Sequence, residues 1–189
     1  MHIDRILFPI EALGPGKRLA LWTKGCSKHC VGCANPELWD AEFAKNVSVA
    51  NIKQIIMNIH CDTPIEGITI TGGDPLEQPE EVLSLIEAVK PYIDDIMVYT
   101  GYELSYIIDN WPDEQKNRLF SLVSVLIDGP YIDSLNDNKH SLIGSTNQKI
   151  HIFDEGLKSR YDDYLSEGRK IQNIYMGDKL VSVGIHDKT

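Results

Sequence analysis

At 189 residues the chain can bury one substantial core but falls short of the ~250 residues of a closed eight-stranded α/β barrel, so any barrel in it must be incomplete. Its net charge of −10 excludes a general electrostatic attraction to nucleic acid or to an anionic membrane and leaves a protein or a small ligand as the expected partner. Residues 1–17 lack the basic-then-apolar order of a leader, and no run approaches the ~20 apolar residues of a membrane span, which points to a cytoplasmic protein.

In chain order, the turn-forming Gly14-Pro15-Gly16 precedes a strand expected at 17–24, which feeds a loop carrying Cys26, Cys30 and Cys33. Ser48 can cap a helix whose Ile52, Ile55, Ile56 and Ile59 recur at helical spacing and which ends near His60. The β-branched run 67–71, closed by Gly72-Gly73, reads as a buried parallel strand. Pro79 suits the first turn of a helix with Val82, Leu85, Ile86 and Val89 on one face, stopped at Pro91. A strand at 95–100, helical material at 103–121 broken by Trp111-Pro112, and a strand at 123–127 follow. The polar stretch 129–148 is expected to be a long loop lying over a site. Residues 149–153 resume a β pattern, 155–168 is weakly helical, and 171–185 reads as a hairpin turning at Gly177-Asp178.

Alternating strands and helices call for a mainly parallel sheet with right-handed crossovers. Ligands bind beyond the C-terminal ends of such strands. Those ends deliver the cysteine loop, Gly72-Gly73-Asp74-Pro75, Thr100-Gly101-Tyr102 and Asp128-Gly129-Pro130 to one face.

Three of the four cysteines fall within eight residues, a pattern that suits a metal site in a reducing compartment better than a disulfide framework. Cys61 stands alone and is read as an inert small hydrophobe. The spacing Cys26-x3-Cys30-x2-Cys33 puts three soft thiolates on one tight loop, as ligands for three irons of a four-iron, four-sulfur cubane whose fourth iron stays open. A structural zinc with His29, His60 or Cys61 as fourth ligand is the alternative that the triplet alone leaves open. Gly72-Gly73 reads as a close backbone approach to a ligand or as a tight turn, and Asp74 as facing the ligand or capping the next helix. Tyr99, Tyr102 and Asp128 have packing explanations beside ligand contact.

The triplet followed by a strand and Gly72-Gly73-Asp74-Pro75 resembles the two hallmark motifs of the radical S-adenosylmethionine superfamily. More narrowly, Gly14-Pro15-Gly16-x-Arg18, Gly25-Cys26, Cys30-x-Gly32-Cys33-x-Asn35, Gly72-Gly73-Asp74-Pro75-Leu76, Tyr99-Thr100-Gly101-Tyr102, Val125-Leu126-Ile127-Asp128-Gly129 and Gly144-Ser145-x-Asn147-Gln148 are together similar to the activating components of anaerobic ribonucleotide reductases. That resemblance runs over residues 8–153. It implies an α/β fold of the radical S-adenosylmethionine type, an incomplete (β/α) barrel with a mainly parallel sheet. It implies one 4Fe-4S cluster on Cys26, Cys30 and Cys33 as the catalytic centre, and S-adenosylmethionine bound by Gly32, Asn35, Gly72, Gly73, Asp74, Pro75, Thr100, Tyr102 and Asp128. It also implies reductive cleavage of that ligand to a 5′-deoxyadenosyl radical, which installs a glycyl radical on a partner enzyme such as a class III ribonucleotide reductase. No G-x-G-x-x-G fingerprint is present, so an external flavodoxin or ferredoxin is the expected electron donor.

Departures are equally informative. Gly32 stands where many superfamily members have an aromatic residue, and Pro130 where some glycyl-radical activases have a lysine. Residues 1–154 are expected to form the radical S-adenosylmethionine core, with 155–189 a helix-and-hairpin extension of the same domain that exceeds the compact activase pattern. The alternative functions are a radical enzyme acting on a small molecule or ribosomal peptide, and a non-catalytic iron–sulfur or zinc protein. No cysteine after Cys61 is available for an auxiliary cluster, which weighs against the peptide version.

Overall fold

The computed structural model describes residues 1–42, 45–177 and 179–187. Strand β1 (His2–Ile10) pairs antiparallel with β2 (Arg18–Thr23) on one side and with the short β3 (Lys45–Asn46) on the other. Helix α1 (Val49–Asp62) starts where the Ser48 hydroxyl accepts from the Asn51 amide, at 3.2 Å. Then follow β4 (Gly67–Gly72), α2 (Pro79–Val89), β5 (Ile96–Tyr99), α3 (Leu104–Asn110), α4 (Asp113–Leu122) and β6 (Val125–Asp128). The chain closes with β7 (Lys149–Ile152), α5 (Lys158–Ser166) and the antiparallel pair β8 (Ile171–Met176) and β9 (Lys179–Gly184). Gly177 turns between the last two strands; Asp178, the other half of the expected turn, lies outside the described residues.

Among the described residues the main sheet has the order β3-β1-β2-β4-β5-β6-β7. Its centre, β2-β4-β5-β6, is parallel, as the alternation of strands and helices requires. The flanks differ: β1 and β7 are antiparallel to their neighbours. Strand β7 reverses because the 129–148 segment returns without a crossover helix. Strand β1 has no signal in the sequence, since register shifts between Ile3 and Arg5 and between Leu7 and Ile10 break its period-two pattern.

Side chains alternate strictly across the central strands. Leu19, Leu21, Ile68, Ile70, Ile96, Val98 and Leu126 face one core, built with α1, α2, α3 and α4 through residues such as Ile52, Ile56, Val82, Ile86, Ile107 and Leu119. The opposite face carries Ala20 and Trp22, packed with Leu7, Ile10, Leu38 and Val183, and Met97, Val125 and Ile127, packed with Tyr161 and Tyr164 of α5. Both flanking clusters thus recruit the C-terminal segment. Between them the strand ends open into a cavity. No helix among the described residues is long and apolar enough to cross a membrane.

Candidate active site

The cavity encloses about 540 Å³. Cys26, Cys30 and Cys33 all border it, and so do Gly32, Asn35, Gly73 and Thr100. Four of the expected residues stand close behind the wall instead, namely Gly72, Asp74, Pro75 and Asp128, while Tyr102 reaches the site through Lys28.

The cysteine loop is shaped by its backbone. Gly25 and Gly32 hold the left-handed φ values of +100° and +76°, and His29 between them is also left-handed, at +46°, with its ring stacked on Trp39 at 4.8 Å. The amides of Gly25 and Cys26 donate to the carbonyls of Leu38 and Trp39, so the loop folds back on its own exit. Burial raises the Cys26 thiol above its ordinary pKa, against backbone N–H groups of Lys28 and His29 that favour the thiolate. Cys33 Sγ accepts from the Asn35 amide at 3.4 Å, and the Asn35 side chain accepts from the Arg5 guanidinium at 3.2 Å.

The Gly72-Gly73 pair is fixed by packing. A side chain on Gly72, whose φ is +120°, would run into the backbone of Thr23, and one on Gly73 would meet the Gly25 carbonyl and lie 2.9 Å from that of Leu38. At Gly73 there is thus a close backbone approach to the cysteine loop, on a residue that also borders the cavity. The Gly73 and Asp74 amides complete this seam by donating to Thr23 and Gly25.

Asp74 is 1% exposed, and its carboxylate accepts from the Leu76 amide (3.0 Å), the Thr100 hydroxyl (2.9 Å) and the Gly101 amide (2.9 Å). It caps the turn after β4 and ties it to the end of β5. Burial pushes its pKa up to about 6, against the three hydrogen bonds, which favour the ion. Asp128 makes a comparable tie between elements one strand further along. It accepts from the Leu104 amide at 2.6 Å, anchoring α3, and faces His151 Nε2 of β7 at 3.1 Å.

Several cavity residues carry no sequence signal. Trp22 and Trp39 border it, Arg5 stacks on the Trp22 ring at 4.9 Å, and Lys28 projects from the cysteine loop. Lys28 Nζ sits 3.2 Å from the Tyr102 ring centroid and 3.8 Å from Glu77. Burial would raise the Glu77 carboxyl, but hydrogen bonds from the Ser27 hydroxyl and amide, with Lys28 nearby, hold it below the usual range. A cation is thus present, on the first loop instead of at position 130. The 129–148 loop covers the cavity as expected, through Tyr131, Asp133 and Gln148 among others, and residues 182–187 close another side.

The donor set suits a cubane. Its three loop thiols border one cavity, and a cubane would take one thiolate on each of three irons. Of the fourth ligands considered for zinc, His29 has its ring stacked on Trp39, His60 Nδ1 accepts from the Ile65 amide at 3.1 Å, and Cys61 is exposed at the end of α1.

Residues 12–151 match the family described as a 4Fe-4S single cluster domain. The chain is also 32% identical over 151 residues to the anaerobic ribonucleoside-triphosphate reductase-activating protein of Escherichia coli K12, which covers 76% of this chain and 94% of that protein. It is similar to the proteins of the same name from bacteriophage T4, at 32% over 83% and 97% of the two chains, and from Haemophilus influenzae, at 35% over 77% and 95%. The chain belongs to the family of anaerobic ribonucleoside-triphosphate reductase-activating proteins. In this family member the 4Fe-4S domain match takes in the three cysteines, the β4 and β5 ends and the covering loop, and stops short of α5 and the β8–β9 hairpin.

Proposed function

We propose that this protein is a radical S-adenosylmethionine activase on an incomplete (β/α) barrel, and that it installs a glycyl radical on an anaerobic ribonucleotide reductase or a similar partner. The observation that carries the reading is the opening of three loop thiols, with no fourth cysteine nearby, onto a cavity walled by the ends of β4, β5 and β6. Cys26, Cys30 and Cys33 would hold a 4Fe-4S cluster. When bound, that cluster supplies one electron, taken from flavodoxin or ferredoxin, that breaks the sulfonium–C5′ bond, releases methionine and leaves a 5′-deoxyadenosyl radical to take a hydrogen atom from a backbone glycine.

The protein's own groups place the ligand and exclude water. With three hydrogen bonds from Leu76, Thr100 and Gly101, the part of Asp74 is to lock the β4 and β5 ends at a fixed separation. Polar contact with the methionine end then falls to groups on the cavity wall around Thr71 and Gly73, and the cations Arg5 and Lys28 offer partners for its carboxylate. Gly32 and Asn35 present backbone and amide groups beside Cys33. Residues 155–189 we read as an extension of the same domain.

The test is anaerobic reconstitution with iron and sulfide, then reduction by dithionite or reduced flavodoxin in the presence of S-adenosylmethionine and the reductase. The expected outcome is about four irons per chain, 5′-deoxyadenosine, and a glycine-centred paramagnetic signal on the partner. A stable cluster that forms no 5′-deoxyadenosine would sink the enzyme reading, and 5′-deoxyadenosine without the glycyl signal would sink the activase reading alone.

A further inference from the structure

Residues beyond 151 lie outside the region matched by the family domain, yet 182–187 border the same cavity as the three cysteines. This segment is built in. Val183 is 2% exposed and packs with Leu7, Leu13, Trp22 and Leu38, and Trp22 is itself a cavity residue. Gln172 on the paired strand β8 accepts from the Glu11 amide at 2.8 Å and donates to the Pro9 carbonyl at 2.9 Å, which fixes the hairpin to the end of β1.

A second attachment crosses to the covering loop. The Arg169 side chain is 7% exposed and donates to the His186 carbonyl (2.9 Å) and to Asp187 Oδ1 (3.2 Å). It also donates to Asn136 Oδ1 (2.8 Å) and to the His140 carbonyl (3.2 Å). One buried guanidinium thus binds both the terminal segment and the 136–140 stretch of the covering loop, and Asn136, His186 and Asp187 all border the cavity. A fork of five N–H donors can satisfy four acceptors from two segments at once; a lysine cannot do so with the same geometry.

We propose that residues 182–187 form a ligand-contacting wall of the adenosyl-sulfonium site, with Arg169 as the positioning residue that holds this wall against the covering loop. The inference rests on the proposal that such a ligand binds here. It gives the extension a defined role: completing the site from a segment outside the matched domain.

The probe is S-adenosylhomocysteine, an uncleavable analogue, added to the reconstituted protein while backbone hydrogen exchange is followed. Exchange is expected to slow about threefold or more both at 71–74 and at 182–187. Protection at 71–74 with none at 182–187 overturns the wall. Protection at neither overturns the ligand reading, and the wall with it. Arg169→Ala should weaken the analogue's affinity by about tenfold while iron content stays at the wild-type level, with Arg169→Lys intermediate. Wild-type affinity in Arg169→Ala would overturn the positioning role.

Discussion

The Tyr161 hydroxyl donates a 2.7 Å hydrogen bond to Asp95 Oδ1, joining helix α5 to an ion pair at the far end of the sheet from the cysteines. Arg18, fully buried, donates to both Asp95 carboxylate oxygens, at 2.6 and 3.1 Å, and to the Thr69 hydroxyl and Ile68 carbonyl. The Gly14-Pro15-Gly16-x-Arg18 motif is thereby a socket. Pro15 supplies a carbonyl to the guanidinium, and a side chain on Gly14 would come within 2.9 Å of the Arg18 stem. Arg18, Asp95 and Thr69 themselves do not border the cavity, and the network meets its wall only where the Thr69 hydroxyl donates to the Leu13 carbonyl at 2.8 Å, so the motif serves chiefly the fold.

Removing one partner of such a pair leaves a buried charge without compensation. Arg18→Ala is therefore expected to cost ~3–5 kcal/mol in chemical unfolding of the cluster-free protein. Tyr161→Phe, which removes one hydrogen bond to a charged acceptor, should cost ~1.5–3 kcal/mol. Anaerobically reconstituted Tyr161→Phe should still hold its full complement of iron. Iron loss there would tie α5 to the cluster more directly than the geometry does.

The cluster ligands can be separated from the fourth cysteine by iron and sulfide counting. Replacing Cys26, Cys30 or Cys33 with Ala should abolish the cluster, because each removes one of only three thiolates at the cavity. Cys61→Ala should leave it intact, since Cys61 is exposed on α1 and borders no part of the site. Retention of four irons in Cys33→Ala with loss in Cys61→Ala would reverse the ligand assignment.

Gly73→Ala should impair cluster assembly as well as ligand affinity. The added methyl meets the carbonyls of Gly25 and Leu38, both backbone atoms of the cysteine loop, and neither can swing away as a side chain would. Reconstitution followed by iron counting and analogue titration distinguishes the outcomes. Normal iron with weakened binding would restore the ligand as what crowds Gly73.

What the sequence reveals and what it hides follow from the range of the interactions. The cysteine loop and the Gly72–Asp74 turn are legible because each is local, and α1, α2 and the central strands because their apolar periods are regular. Arg5 escapes a sequence reading because β1 carries two irregularities in register that scramble alternation. The hairpin is legible, but its place against Trp22 is not. That contact depends on Val183 meeting a face formed by residues near the opposite end of the chain, and the polar residues Gln172, Asn173 and Lys179 make the segment look solvated on both sides. The sequence leaves Asp74 and Asp128 open between ligand contact and a capping or packing role; their buried neighbours show the tie each makes, Asp74 to Thr100 and Gly101 and Asp128 to the Leu104 amide.

Asp74 also gives a pH signature with a definite sign. Its folded pKa is about 6 against an ordinary 3.8, because burial outweighs the hydrogen bonds from Gly101, Leu76 and Thr100. A carboxyl whose pKa is raised on folding binds protons more tightly in the native state. Its contribution to stability is therefore fully present below pH 3.8 and is lost as pH rises through about 6. The shift corresponds to about 3 kcal/mol at most over that window. The Asp74→Asn variant cannot titrate there, so the stability of wild type relative to that variant should fall between about pH 4 and 6.5 and be level above about pH 7. The measurement is urea unfolding of both cluster-free proteins across that range. A difference that stays constant with pH would mean the three donors hold Asp74 ionised at an ordinary pKa, and a difference that rises with pH would mean that they outweigh burial.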